Sequence, residues 1–187
     1  MTDQIKILSV LASFVLVFTL TLTSCSKSDY DGGGNNSGNQ ENNDDNDGSG
    51  IAPAFTLDTY DGKEVSLADY KDKVLVISFF GSTCPPCISV GPDIEARLHQ
   101  EFMEKSDFAI IGIDQWDGNA ATVERFEESA GVTFPLGLKG SGVASAYDTT
   151  YDRLVLVNKT GTIAFSGKRI AANDLDEVVN MVKRLLN

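Results

Sequence analysis

The chain has 187 residues, of which 42% are hydrophobic and 22% charged, with a formal net charge of −12. That length implies one core-forming domain with additions, and the acidity disfavours nucleic acid as a partner, because phosphate binding needs a basic face. The three cysteines are too few to staple a chain of this size, so each is read for its own chemistry.

The chain opens on a targeting pattern. Lys6 precedes an apolar stretch from Ile7 to Leu22, diluted by Ser9, Ser13, Thr19 and Thr21. The stretch is short for a spanning helix and reads as a signal peptide over residues 1–24, an uncleaved anchor helix being the alternative. Leu22-Thr23-Ser24-Cys25 resembles a bacterial lipobox. On that reading Cys25 becomes the mature N-terminus and carries acyl chains, and two or more chains anchor stably because each buried methylene contributes about 0.8 kcal/mol. Localisation in the bacterial envelope, at the outer membrane or the periplasmic face, follows as an expectation.

Residues 25–50 form a linker. Six glycines, six asparagines and six acids stand between Ser26 and Gly50, with Tyr30 the sole aromatic. Such a segment buries too little apolar surface to offset its ordering entropy. Its composition resembles that of calcium loops, but the EF-hand spacing and closing Glu are missing. A flexible tether is expected, with an r.m.s. span of roughly 25–30 Å.

Residues 51–187 are the expected domain. Phe55–Asp58 and Glu64–Ser66 alternate like strands around the turn Asp61-Gly62. Val74–Phe80 is a continuous apolar run, as in a strand buried on both faces. Pro85 to about Glu104 reads as one helix with Cys87, Gly91, Ile94, Leu98 and Phe102 on its inner stripe and Pro92 as a kink. Phe108–Ile113 is a second buried strand. Asn119 caps a helix that Gly131 ends, with Val123 and Phe126 turned inward. Ser141–Tyr147 reads as a short helix, and Leu154–Val157 and Thr162–Phe165 as a hairpin. Asn173, with Asp176 three residues on, starts the last helix. The order ββ, βαβα, ββα implies an α/β fold with a mixed central sheet, helices on both faces and an N-terminal β-hairpin. A CxxC between the first buried strand and its helix makes this thioredoxin-like.

The chemistry concentrates at Cys84-Pro85-Pro86-Cys87. Cys84 follows a buried strand and heads a helix, where unpaired N–H groups and the dipole favour an anion. That lowers a thiol pKa, and the thiolate is the nucleophile. Pro85 suits the first helical turn. Cys87, one turn on and facing inward, is placed to resolve a mixed disulfide. A static disulfide or a zinc site are the alternatives; the latter usually takes four ligands, and the single histidine, His99, reads as a surface residue three turns away.

Phe79-Phe80-Gly81-Ser82-Thr83-Cys84-Pro85-Pro86-Cys87, with Pro92 five residues on, is similar to the TlpA/ResA-like thioredoxins of bacterial envelopes. The resemblance runs from about Ala52 to Leu186 and includes Phe134-Pro135 and the late turn Asn158–Gly161. It implies a thiol–disulfide oxidoreductase without a cofactor. The partners that the resemblance implies are disulfide-bearing exported proteins and a membrane thiol electron donor. Four departures stand out. Thr83 replaces the usual Trp before the first Cys. Ser78 and Val90 stand where a buried acid and a Glu serve as proton acceptors. Counting back from Gly161 puts Tyr151-Asp152-Arg153 where the resemblance implies x-Pro-Thr with a cis-proline. A cis bond before a non-proline costs about 2.5–4 kcal/mol, so a trans bond is expected. Asp152 would then stand near the CxxC, either repelling the Cys84 thiolate, acting as proton acceptor for Cys87, or pointing to solvent or to Arg153. Pro85, Pro86, Thr83, Tyr151 and Asp152 thus modulate the Cys84–Cys87 pair.

Two other functions fit. A thiol peroxidase with antioxidant activity would pass through a sulfenic acid at Cys84. Peroxiredoxins, however, carry a Thr where Gly81 stands. A non-enzymatic binding module with a vestigial CxxC would explain the missing proton acceptors.

Overall fold

The computed structural model describes residues 50–168 and 170–187. The signal peptide, Cys25 and the linker up to residue 49 lie outside the described residues. No helix of the described residues is long and apolar enough to cross a membrane.

Strands β1 (Thr56–Asp58) and β2 (Glu64–Ser66) pair antiparallel as a separate two-stranded sheet, with Gly62 at φ 82° in the turn between them. The main sheet runs in the order β5-β4-β3-β6-β7. It consists of β3 (Val74–Phe80), β4 (Phe108–Asp114), β5 (Leu136–Gly137), β6 (Arg153–Val157) and β7 (Ile163–Ser166). Strands β3, β4 and β5 are parallel, β6 pairs antiparallel with β3, and β7 pairs antiparallel with β6. All seven residues of β3 are buried, which explains its unbroken apolar run: a central strand in a sheet covered on both sides has no face for water.

The period of two along β3 sorts the core. Val74, Val76 and Phe80 join one cluster, which takes in Leu98 of the long helical segment, Phe126 of α3 and Leu175 and Val182 of α5. Leu75, Ile77 and Phe79 face the other way, towards Phe55, Ala144 and Tyr147. The helices are α1 (Pro85–Ile94), α2 (Gln100–Phe102), α3 (Ala120–Ala130), α4 (Ser141–Ala146) and α5 (Ala171–Leu185). Asn119 caps α3 by accepting from Thr122 N, and Gly131 ends it at φ 62°.

Four local expectations need correction. The helix over 85–104 is not a single α-helix: a π-helical turn, Glu95–His99, separates α1 from α2. Pro92 has no N–H for the ladder, and the chain widens just after it, with Gln100 N donating to Glu95 O. Second, α5 begins at Ala171 rather than at Asn173 and has no side-chain cap from Ile170. Instead Ala171 N donates to Asp152 of the adjoining chain segment. Third, His99 is half-buried. Its Nδ1 pairs with Glu95 at 3.1 Å and its ring meets Phe134 edge-on. Fourth, β5 was not expected, because two residues carry no readable periodicity. Glycine is required at position 91: a Cβ there would stand 2.6 Å from both Cβ and O of Ala130, so α1 and α3 approach closely.

Candidate active site

β3 delivers the chain to Gly81, and the turn Gly81–Cys84 closes with Cys84 N donating to Gly81 O at 2.9 Å. Cys84 is the N-cap of α1 in extended conformation. Pro85 and Pro86 occupy the first two helical positions and have no N–H, so the first side-directed donor of the helix is Cys87 N. It donates to Cys84 Sγ at 3.3 Å. The two sulfurs form a disulfide, with the Cα atoms 5.3 Å apart. Cys84 is 1% and Cys87 3% exposed, while Thr83, Pro85 and Pro86 are exposed. Thr83, Ser82, Ile88, Thr122 and Arg125 line a groove of about 170 Å³ beside the nucleophile. A small residue at 83 leaves that space open.

The loop ahead of Cys84 is held by a residue that the sequence reading missed. Asp114, at the end of β4 and fully buried, accepts from Ser82 N at 3.0 Å, Trp116 N at 3.3 Å and Gly118 N at 2.5 Å. Burial pushes its carboxyl above the usual range, and the three N–H donors pull against that. Trp116, also missed, lies over Gly81: a Cβ at Gly81 would stand 2.5 Å from Trp116 Cδ2. Its ring meets Tyr151 at 5.0 Å and 70°, and both are exposed. The usable signal was Asp114-Gln-Trp-Asp-Gly118, with the chain's single Trp at the carboxyl end of a buried parallel strand, where α/β sheets gather their ligands.

Asp152 lies immediately before β6, whose Arg153 is in register with Phe79, near the end of β3 that leads to the CPPC. No cis peptide occurs among the described residues, and Asp152 adopts φ 56°, the left-handed region. Its side chain is not turned to solvent; the residue is 4% exposed. Oδ1 accepts from Ala171 N at 3.3 Å, and the main-chain O accepts from Ala171 N at 3.1 Å and from Arg153 Nη1 at 2.8 Å. Burial raises its carboxyl pKa, against the Ala171 N–H and the Arg153 charge. With Cys87, Ser78 and Val90 it lines a cavity of about 10 Å³ that Cys84 does not line. Among the described residues no group of three or more His, Cys, Asp or Glu side chains could hold a metal ion.

Comparison with known proteins bears on this geometry. The AhpC/TSA family profile matches residues 49–166, more than half of the chain. The chain is 26% identical over 113 residues to the thioredoxin-like protein YneN of Bacillus subtilis, covering 60% of this chain and 66% of that one. It is 31% identical over 111 residues to the thiol-disulfide oxidoreductase ResA of Halalkalibacterium halodurans, covering 58% and 61%. It thus spans less than two thirds of either relative. The solution structure of a candidate protein disulfide isomerase from Bacteroides thetaiotaomicron superposes with a TM-score of 0.67 at 32% identity, covering 73% of this chain and 87% of that one. The thioredoxin domain of a thiol-disulfide oxidoreductase from Bacteroides vulgatus shares the fold, with a TM-score of 0.63 at 24% identity over 74% and 97%. The chain belongs to the AhpC/TSA family, in which its thioredoxin-like fold and its Cys84–Cys87 pair make it a TlpA/ResA-like redoxin.

Proposed function

We propose that the protein is a lipid-anchored thiol–disulfide oxidoreductase of the bacterial envelope that reduces disulfides of exported proteins. The observation that carries the reading is the hydrogen bond from Cys87 N to Cys84 Sγ at 3.3 Å, within a disulfide-bonded pair at a helix N-terminus. A sulfur held there is favoured as an anion. In the reduced chain the Cys84 thiolate attacks a substrate disulfide and expels one substrate thiolate. Cys87, once deprotonated, attacks Cys84 Sγ, expels the second substrate thiolate and leaves the Cys84–Cys87 disulfide. Two electrons pass to the substrate, and a thiol donor must return them. The lipobox at Cys25 and the tether up to Gly50 support work at a membrane surface, and the names of the ResA relatives support the reaction class.

The family match favours one second reading, a thiol peroxidase. Against it stand Gly81, where peroxiredoxins carry Thr, and a disulfide partner only three residues from Cys84. A panel on the full-length protein separates the readings: insulin-disulfide reduction, peroxide consumption, and both repeated with Cys84→Ser. Reduction of insulin that Cys84→Ser abolishes supports the proposal. Peroxide consumption without insulin reduction replaces it with the peroxidase, and neither activity leaves a binding module.

A further inference from the structure

The geometry points to Asp152 as the proton acceptor for Cys87 in the resolving step. The inference rests on the oxidoreductase reading and names the group that the reading lacks. Ser78 and Val90, the places where the resemblance implies an acid, both line the cavity at Cys87 and neither can take a proton from a thiol. Asp152 lines the same cavity from the facing segment and is the one carboxyl among its lining residues.

The surroundings leave Cys87 few alternatives. The residue is 3% exposed, and the cavity, at about 10 Å³, is at the lower limit for a single water. Bulk solvent therefore competes poorly as the acceptor. Among the described residues, the titratable and charged groups near Asp152 are Cys87 on α1 and Arg153, whose Nη1 is bound to the Asp152 main-chain O. From β3 come Ser78 and phenylalanines, from α3 Phe126, and from α5 the Ala171 N–H. Asp174 is buried one turn further along α5. Burial raises the Asp152 carboxyl pKa, which brings a carboxylate closer to a thiol in basicity.

Capping α5 does not by itself require an acid. Asn accepts the same N–H and tolerates the same left-handed φ. What only the carboxylate adds is the capacity to hold a proton. The balanced step has Cys87 S–H transferring its proton to the Asp152 carboxylate while the Cys87 thiolate bonds to Cys84 Sγ. The Cys84–substrate bond breaks, and the departing thiolate takes the electron pair. Asp152 then returns its proton to that thiolate or to solvent. Because Cys84 does not line the cavity, the first attack does not draw on Asp152.

The test uses reduced full-length protein and dithiobis(nitrobenzoate). With the Cys25 thiol blocked by its lipid or removed as Cys25→Ala, the first thionitrobenzoate released reports attack by Cys84, the second resolution by Cys87. Asp152→Asn is expected to leave the first phase unchanged and to slow the second on the order of 100-fold at neutral pH. The gap should narrow as the pH rises beyond about 8.5, where hydroxide increasingly competes as the acceptor. Asp152→Gly, which meets the same backbone angle without a carboxyl, should reproduce the slow phase. A second phase equal to that of the parent at every pH overturns the inference. So does a slowing that is the same at every pH, which would mean that geometry and not proton transfer was lost. A parent chain that never releases the second equivalent overturns the oxidoreductase reading itself, and the inference with it.

Discussion

Asp114 accepts a hydrogen bond from Ser82 N at 3.0 Å, and this contact ties the strand end that carries the nucleophile to the loop that carries Trp116. The same carboxylate holds Trp116 N and Gly118 N. One fully buried acid therefore organises both walls ahead of Cys84. A bulky residue has no place in the turn: a side chain at Gly81 would enter the Trp116 ring, and one at Gly118 would stand 2.7 Å from Asp114 Oδ2.

Asp114→Ala should be the most damaging of the substitutions considered. It strands up to three backbone donors, and an unsatisfied buried group costs about 1–3 kcal/mol. Urea unfolding should show a loss of at least about 2 kcal/mol, with the reduced pair more readily alkylated. A loss within the error of the measurement would mean that the loop holds itself.

The single tryptophan makes the site visible. Because Trp116 lies over Gly81, its emission should change when dithiothreitol opens the Cys84–Cys87 disulfide. Gly81→Ala should push the half-exposed ring outward, shifting emission to longer wavelength, at a stability cost of about 1–2 kcal/mol. An unshifted spectrum in Gly81→Ala would place the ring elsewhere.

The two cysteines should differ in trapping. Cys87→Ser leaves Cys84 able to attack but not to be released, so mixed disulfides with exported proteins should accumulate on non-reducing gels. Cys84→Ser should accumulate none, because Cys87 lies within α1 and lacks the helix-head position and the N–H donor that favour the Cys84 thiolate. Equal trapping by both variants would reverse or erase the assignment.

Asp152 should make stability depend on pH in a defined direction. Its carboxyl pKa is raised by burial, so the folded chain binds that proton more tightly than the unfolded chain does. The stability from the protonated form is fully present below the unfolded pKa of about 3.9 and is lost as pH rises through the raised folded value. At neutral pH Asp152→Asn should therefore melt above the parent. Its advantage should shrink as the pH approaches about 4, where both side chains are neutral. A constant difference at all pH values would mean that the carboxyl is not perturbed. A chain that keeps a destabilising acid beside its resolving thiol fits the trade of stability for activity seen at functional sites.

Much of this was legible in the sequence, and what was not has physical reasons. The runs Val74–Phe80 and Phe108–Ile113, the Asn119 cap and the Gly131 stop are local signals, and the structure has each of them. The CPPC was readable because its meaning depends on a strand before it and a helix after it. The start of α5 was not, because its first N–H goes to Asp152, 19 residues back, and no local cap marks it. A kink is legible at Pro92, but the π turn after it is not, and it opens at Glu95. That side chain accepts from Thr133 N and Oγ1 across the fold. Asp114 and Trp116 escaped because an acid in a loop looks solvated until its three donors are brought to it.

The central claim, that Cys84 and Cys87 form a reducing dithiol, is tested most directly by equilibrating the full-length protein with glutathione buffers and quantifying the Cys84–Cys87 disulfide by alkylation. The account requires a two-electron potential at or below about −200 mV, in the range of thioredoxin and glutaredoxins. A potential near about −120 mV, that of a strong oxidant such as DsbA, or a disulfide that does not exchange at all, would contradict it.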